Sequence, residues 1–244
     1  MLKNINRNLN VLQFISNSDF SVNLEKLLSL IDKTSENSIV VAPEVCLTGF
    51  AYDRFDEAAK FSSVATKRIL NHLGKRIVIL TMIEKIEGKF YNVAKVFYNG
   101  AVLYEQKKVH LFVIGDERKY FSAGDESDIT LFEIEGIKIG VLICFELRFK
   151  YLWSRLEGAD LITVPAMWGK PRAEQFAALS KALAIMNQCY VAAADSANDD
   201  MASKSAVIDP FGEVLLDDSL ELIEGSFLSE QIEKMRRYVN VGLS

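Results

Sequence analysis

Apolar residues along the chain follow two patterns, short continuous runs and runs with helical spacing. Between 22 and 31 the apolar positions Leu24, Leu27, Leu28 and Ile31 recur every three or four residues, which predicts an amphipathic helix. Short continuous runs are typical of buried strands. The predicted strands outside hairpins are 11–14, 38–42, 76–83, 161–164 and 190–194, and the other predicted helices are 55–73, 149–156, 173–187 and 232–237.

Three pairs of predicted strands are separated by turn sequences. Asn99-Gly100 lies between the apolar runs 93–98 and 101–104, and both turn positions tolerate positive φ, which favours a hairpin. Hairpins between helical segments predict mixed sheets. With so many strands, we expect an α/β protein with two sheets packed face to face and covered by helices. The other two pairs are 131–134 with 137–143, and 207–208 with 214–216.

Composition and charge narrow the class of protein. Of the 244 residues, 50% are hydrophobic and 25% are charged, which is ordinary for a globular protein. The formal net charge of -5 argues against nonspecific binding of nucleic acid, which needs a basic face. No apolar stretch approaches the roughly 20 residues of a membrane-spanning helix, and residues 1–10 are too polar for a secretory signal. We therefore expect a cytoplasmic protein that binds neither nucleic acid nor membrane.

Cysteine and histidine are scarce. The chain has three cysteines, an odd number that fits reduced thiols better than a set of disulfides. It has two histidines, and neither Cys-x-x-Cys nor His-x-x-x-His spacing occurs. We therefore expect no metal site.

Polar residues with possible chemistry stand at the ends of three predicted strands. Glu44 follows Pro43, which cannot continue a sheet ladder. Lys108 immediately precedes the aperiodic stretch 109–128, and a loop that long is usually functional or disordered. Cys144 ends the apolar run of the second hairpin. Taken singly, each has an ordinary interpretation: a solvated carboxylate, an exposed lysine and a small buried hydrophobe.

Taken together, the segments around these residues resemble the nitrilase, or carbon–nitrogen hydrolase, superfamily. The resemblance covers nearly the whole chain and implies one domain over residues 1–244, with a four-layer α-β-β-α sandwich of two mixed sheets. The segment 115–125 and the short chain look most like the ω-amidase-like branch. The matching segments are PE…TGF at 43–50, KVHLF at 108–112, ICFELRF at 143–149, Trp168, NQCYV at 187–191 and IDPFGE at 208–213.

The resemblance implies a Glu-Lys-Cys triad. Cys144 would attack an amide carbonyl and Glu44 would take the thiol proton. Lys108 and the backbone N–H of Phe145 would hold the negative oxygen, and a thioester would follow the loss of ammonia. The family's second glutamate, which orients the lysine and the substrate, corresponds to Glu117.

Several other residues have both a structural and a functional interpretation. Trp168 is expected in the pocket wall, and Arg172 could bind a substrate carboxylate or lie at the surface. His110 could pair with Cys144 as in papain-like enzymes, or pack beneath the loop. The remaining expectations are Glu126 as a substitute for Glu117, a local Glu146–Arg148 ion pair, and structural roles for Cys46 and Cys189.

The chain departs from the family pattern at two places. Lys150 replaces the proline of the cysteine motif. Leu183 and Met186 stand where the family has arginine and glutamate, so both charges of an i, i+3 pair are absent. The resemblance implies a homodimer, and these two residues put the usual dimer contacts of that helix in doubt.

The resulting prediction is a hydrolase that cleaves a non-peptide C–N bond of a small linear amide without a cofactor. One alternative is a nitrilase that acts on a nitrile, although nitrilases usually have Trp-Glu after the cysteine, and here Phe145-Glu146 follows. A metal-dependent phosphoesterase would need more metal ligands than two histidines favour. A catalytically silent interaction module would not need the complete triad.

Overall fold

The computed structural model describes residues 4–217 and 219–243. Residues 1–3, 218 and 244 lie outside the described residues. The predicted domain over 1–244 includes all of them, and the polar start at 1–10 includes residues 1–3. The strands are β1 (Asn6–Leu12), β2 (Ser38–Val41), β3 (Ile77–Ile86), β4 (Lys89–Tyr98), β5 (Ala101–Lys107), β6 (Phe132–Ile134), β7 (Ile137–Val141), β8 (Leu161–Ala166), β9 (Tyr190–Asp195), β10 (Ala206–Ile208), β11 (Val214–Leu216) and β12 (Leu222–Leu228). The helices are α1 (Phe20–Asp32), α2 (Phe55–His72), α3 (Glu117–Tyr120), α4 (Lys150–Arg155), α5 (Ala173–Asn187) and α6 (Ser229–Tyr238), with 3-10 turns at Glu126–Asp128, Cys144–Arg148 and Lys170–Arg172.

The described strands form two six-stranded sheets. The first has the order β12-β1-β2-β3-β4-β5, and the second has the order β11-β10-β9-β8-β7-β6. In each sheet three central strands run parallel and the outer pairs are antiparallel. The predicted α/β class with two mixed sheets in a four-layer sandwich is confirmed.

Apolar side chains fill three layers. Between the sheets, Val11 and Ile79 pack in one cluster with Ile139. The face of the first sheet under α1 and α2 buries another cluster, and the face of the second sheet under α5 buries a third. A fully buried leucine or isoleucine contributes about 1.5–3 kcal/mol relative to an exposed one, so these layers supply most of the driving force for the fold.

Most predicted elements are present with small shifts at their ends. The helix predicted at 173–187 has those ends in α5, and α1 extends the predicted 22–31 by a few residues. In β1 the strand starts at Asn6 instead of Val11, because hydrogen bonds to β2 and β12 hold its polar first half. No helix in the described ranges combines the length and the apolar character that a membrane crossing needs.

The sequence prediction missed β12, which pairs antiparallel with β1. Glutamate, glycine and serine interrupt its apolar run. Gly225 has a packing reason, because a Cβ there would lie 2.9 Å from Val207 Cγ1 and 3.2 Å from the Leu9 carbonyl oxygen. The glycine that weakens the strand pattern is therefore the residue that lets the strand approach its neighbours.

Candidate active site

The site lies where the carboxyl ends of β2 and β5 in the first sheet meet those of β7 and β8 in the second sheet. Glu44 follows β2 in the first sheet, and its backbone N–H donates to the Ala166 carbonyl at the end of β8 in the second sheet, at 3.2 Å. Lys108 follows β5, and Cys144 follows β7. The strand ends therefore bring together the three residues that the sequence singled out.

Lys108 lies between two buried carboxylates. Its Nζ is 2.7 Å from Glu44 Oε1 and 2.8 Å from Glu117 Oε1, and the lysine is 0% exposed. Burial by itself would lower the pKa of Lys108, but the two carboxylates outweigh it and raise the pKa above its usual value. For Glu117, burial raises the pKa although Lys108 opposes the shift. The lysine is therefore held as an ammonium ion.

Glu44 has partners on both oxygens. Oε1 accepts from Asn92 Nδ2 at 2.8 Å as well as from Lys108, and Oε2 accepts from the Met167 N–H at 3.1 Å. After Pro43 ends the strand, Val45 has a φ of 41° and donates its N–H to Thr81 Oγ1 at 2.8 Å. This turn directs the Glu44 carboxylate between the sheets.

Cys144 is the first residue of the 3-10 turn Cys144–Arg148, which follows β7. Its φ of 48° is in the left-handed region, which is unfavourable for a residue with a side chain and needs support from its surroundings. The residue is 7% exposed. Burial and the Glu44 charge raise the pKa of the thiol well above its usual value, against the opposing effect of Lys108. The resting group is a thiol with a carboxylate close by.

Glu146 supplies the support for this turn. Its carboxylate accepts from the Ile143 N–H at 2.7 Å and from the Val109 N–H at 2.6 Å, so it ties the cysteine turn to the residue after Lys108. Burial raises the pKa of Glu146 to about 7. The expected Glu146–Arg148 ion pair is wrong, because Arg148 turns outward to Gln175 and lies over the Trp168 ring.

A cavity of about 250 Å³ opens beside Cys144. Phe145 and Trp168 line it, and so does Arg172, whose guanidinium lies 5.1 Å from the Phe112 ring centre. All three residues predicted to contact substrate therefore reach the cavity wall. The other lining residues are Phe50, Tyr52, Phe112, Gly115, Glu117, Arg148, Met167, Gly169 and Met201.

The remaining predicted residues lie away from the lysine cluster. Glu126 accepts from the Tyr151 hydroxyl at 2.6 Å, so it does not take the position of Glu117. His110 stacks on Phe149 with ring centres 3.7 Å apart and meets the Tyr151 hydroxyl, as the structural interpretation expects. All three cysteines are free thiols; Cys46 and Cys189 are 1% and 0% exposed.

Sequence reasoning missed three polar residues at the site. Asn92 donates to Glu44, Asp195 accepts from the Trp168 N–H at 2.7 Å, and Arg148 lines the cavity. A signal existed for Asn92 and Asp195, because a polar residue within or at the end of an otherwise apolar strand needs a partner when it is buried. The sequence alone does not identify that partner.

The two residues of α5 that depart from the family pattern have different surroundings. Leu183 is 0% exposed, so an apolar residue fits its position without an unpaired charge. Met186 is 67% exposed. Only one member of the replaced pair is therefore buried within the chain.

The fold and the site together define a class of protein. Its members are four-layer sandwiches in which Glu, Lys and Cys follow strands whose ends meet. Within that class, the Carbon-nitrogen hydrolase model matches residues 8–232. The chain belongs to the carbon–nitrogen hydrolase family, which confirms the resemblance and the prediction of a hydrolase.

Relatives and solved structures agree with this assignment. The 2-oxoglutaramate amidase of Bacillus subtilis is 33% identical over 227 residues, which cover 87% of this chain and 86% of that protein. Omega-amidase NIT2-B of Xenopus laevis is 30% identical over 229 residues, 85% of this chain and 82% of its own. Nit3 of Saccharomyces cerevisiae, a member of branch 10 of the nitrilase superfamily, shares the fold with a TM-score of 0.84 at 24% identity, covering 97% of this chain and 95% of Nit3.

Proposed function

We propose that this protein hydrolyses a small linear amide through a thioester on Cys144. The observation that carries the proposal is the buried cluster in which Lys108 Nζ lies 2.7 and 2.8 Å from Glu44 and Glu117, beside a thiol that lines a cavity. Burying three ionised groups costs free energy, and a cluster of this kind is typical of a functional site.

In the first step Cys144 Sγ attacks the amide carbonyl carbon. The pKa of this thiol is raised, so it does not ionise in advance, and its proton passes to Glu44 as the Sγ–C bond forms. The protonated Glu44 then gives that proton to the amide nitrogen. The C–N bond breaks, ammonia leaves, and the acyl group remains on sulfur.

The second step returns the free enzyme. Glu44 takes a proton from a water molecule as the water oxygen attacks the thioester carbonyl. The C–S bond breaks, the proton returns to sulfur, and the carboxylic acid leaves. Both steps use the same base, so one carboxylate with fixed hydrogen bonds is sufficient.

Lys108 has the electrostatic role in both steps. The carbonyl oxygen becomes negative when either nucleophile attacks, and an ammonium ion in a buried site stabilises it strongly. The backbone N–H of Phe145 is the second donor. Glu117 holds the ammonium through Oε1 and is itself fixed at Oε2 by the Phe112 N–H at 3.1 Å.

The substrate that we propose is a short amide with a carboxylate at its far end. A cavity of 250 Å³ has the volume of about eight water molecules in the liquid, so it suits a compact molecule. Five aromatic residues line the cavity, and Arg148 and Arg172 supply positive charge. The amidases among the relatives support an amide over a nitrile.

The proposed activity is tested by ammonia release from a panel of neutral amides, amides with a distal carboxylate, and nitriles. We expect the acidic amides to be hydrolysed fastest and Cys144→Ala to abolish release. Cys46→Ala and Cys189→Ala are the matched controls, because each removes a thiol that is more deeply buried than Cys144. Unchanged release by the Cys144→Ala protein would contradict the proposal.

We also propose the setting in which the enzyme works. It needs no cofactor or metal, because the cluster supplies the nucleophile, the base and the cation. We propose a single catalytic domain and a cytoplasmic location, in keeping with three free thiols. A homodimer that buries the exposed end of α5 is the last part of this proposal.

A further inference from the structure

Asp195 is a buried carboxylate that the proposed chemistry does not use. It ends β9, lies opposite Ala166 of β8, and is 0% exposed. Oδ1 accepts from the Trp168 N–H at 2.7 Å, and Oδ2 accepts from the Ser203 N–H at 3.0 Å. The carboxylate therefore joins the chain after β8 to the chain that returns into β10.

The peptide that Asp195 holds is part of the active site. The Met167 N–H, one residue before Trp168, donates to Glu44 Oε2 at 3.1 Å. Two successive backbone N–H groups are thus bound by two different buried carboxylates, one on each sheet. Trp168 also accepts from the Ala202 N–H at 2.7 Å, and both Trp168 and Met201 line the cavity.

This position is unfavourable for a negative charge. Burial, together with the charge of Glu44, raises the pKa of Asp195 to about 7, although backbone N–H groups oppose the shift. Glu44 is the charged group that acts on Asp195, and Lys108 and Glu117 lie behind it. A costly carboxylate in direct contact with a peptide of the site indicates a role in that site.

We propose that Asp195 is a positioning residue of this active site. It fixes the Met167–Trp168 peptide so that the Met167 N–H stays on Glu44 and the Trp168 indole stays on the cavity wall. The inference deepens the proposed function, because it assumes that Glu44 takes the proton of Cys144. An asparagine at 195 keeps the shape but presents one N–H₂ group, so either the Trp168 or the Ser203 N–H loses its acceptor.

The test compares Asp195→Asn with Asp160→Asn. Asp160 precedes β8 at its other end, where Oδ2 accepts from the Lys138 N–H at 2.9 Å, and it is 2% exposed. The control thus makes the same chemical change at the opposite end of the strands of the same sheet, about 20 Å away for a strand of this length. The readouts are kcat and KM for the best amide, and the rate of alkylation of Cys144 by iodoacetamide.

Alkylation needs no knowledge of the substrate. The Sγ–C bond forms, iodide leaves, and the thiol proton passes to Glu44, so the rate reports how well Glu44 is held. At pH 8 we expect Asp195→Asn to slow alkylation and lower kcat about tenfold, and Asp160→Asn to stay within twofold of the wild type. At pH 5.5 Asp195 of the wild type is protonated and therefore uncharged, as asparagine is. The difference in alkylation rate between the wild type and Asp195→Asn should then close.

Equal rates for the two variants, or a difference that does not change with pH, would overturn the role of Asp195. If the wild type is alkylated at Cys144 but hydrolyses no amide, the proposed function fails and the alkylation comparison still decides this inference.

If Asp195→Asn does not fold, hydrogen exchange of the wild type takes its place. The Trp168 amide should lose about tenfold protection between pH 8 and pH 6 relative to the Leu142 amide, which donates to the Thr163 carbonyl at 3.0 Å; equal protection at both pH values overturns the inference.

Discussion

Cys144 is a buried thiol, and a buried thiol is a weak acid. Its environment raises its pKa, so this site differs from one in which a histidine stabilises a thiolate before the substrate arrives. In the proposed mechanism Glu44 is therefore needed as the acceptor of the proton. The sequence was sufficient to propose Glu44, Lys108 and Cys144 as the catalytic residues, because each follows a strand within a recognisable motif. It was not sufficient for Asn92, which contacts Glu44 from 48 residues away on another strand.

The role of Lys108 is testable by substitution. Lys108→Ala should lower kcat about 10²–10³-fold and change KM little, because the ammonium acts on a charge that develops only in the transition state. The measurement is steady-state kinetics on the best amide. Lys95→Ala is the control, since Lys95 is also a mostly buried lysine between two carboxylates, at 2.5 Å from Glu84 and 3.2 Å from Glu105, but outside the site. A raised KM with unchanged kcat would reject the oxyanion role.

The turn after β7 is the element that presents Cys144, the proposed nucleophile. Sequence periodicity predicted the strand before it and the helix after it, but not the 3-10 turn Cys144–Arg148 or the carboxylate that holds it. The reason is physical: Glu146 satisfies the Val109 N–H from 37 residues away, and no local pattern encodes such a bond. The aperiodic stretch 109–128 likewise contains the short helix α3, whose first residue is Glu117.

Glu146 makes stability depend on pH. Its pKa is raised to about 7 in the folded protein from 4.5 otherwise, so its contribution to stability is full below about pH 4.5 and is lost as the pH rises through 7. We expect the free energy of unfolding of the wild type to fall between pH 5 and pH 8. Urea denaturation at both pH values should show that the free energy of unfolding falls less for Glu146→Gln than for the wild type. The two falls should differ by about 3 kcal/mol at most.

Two further measurements accompany this prediction. Glu146→Gln should also lower kcat, because one of the two N–H groups around the cysteine turn loses its acceptor. Glu133→Gln, which changes an exposed glutamate of the same sheet, should leave both the pH dependence and kcat unchanged. An equal fall in stability for the wild type and Glu146→Gln would contradict the assignment.

At the scale of the whole molecule, the two sheets pack so that the carboxyl ends of β2 and β5 share one site with those of β7 and β8. The layer order could be predicted from hydrophobic runs and hairpins, because burial of apolar faces dictates it. The pairing of β12 with β1 could not, because the Gly225 contacts depend on the finished sheet. The surface carries a groove of about 570 Å³ with Met186 and Tyr151 in its wall, at the end of α5.

This surface is where we expect two copies to meet. Sedimentation velocity should show a dimer of the wild type, and Met186→Lys should shift it towards monomer because a charge would be buried in the contact. Val22→Lys is the matched control: Val22 is 51% exposed on α1, in the helix layer over the other sheet. A wild-type monomer, or equal effects of the two substitutions, would contradict the dimer proposal.

Detection of the covalent intermediate is the most direct test of the proposed mechanism. The wild-type protein is mixed with its best amide, quenched in acid during turnover, and analysed by intact mass and peptide mapping. The proposed mechanism predicts one added acyl group on Cys144, absent from the Cys144→Ala protein and present on the Cys46→Ala and Cys189→Ala proteins. Ammonia release with the acyl group on another residue, or with no acyl-protein at any time during turnover, would contradict it.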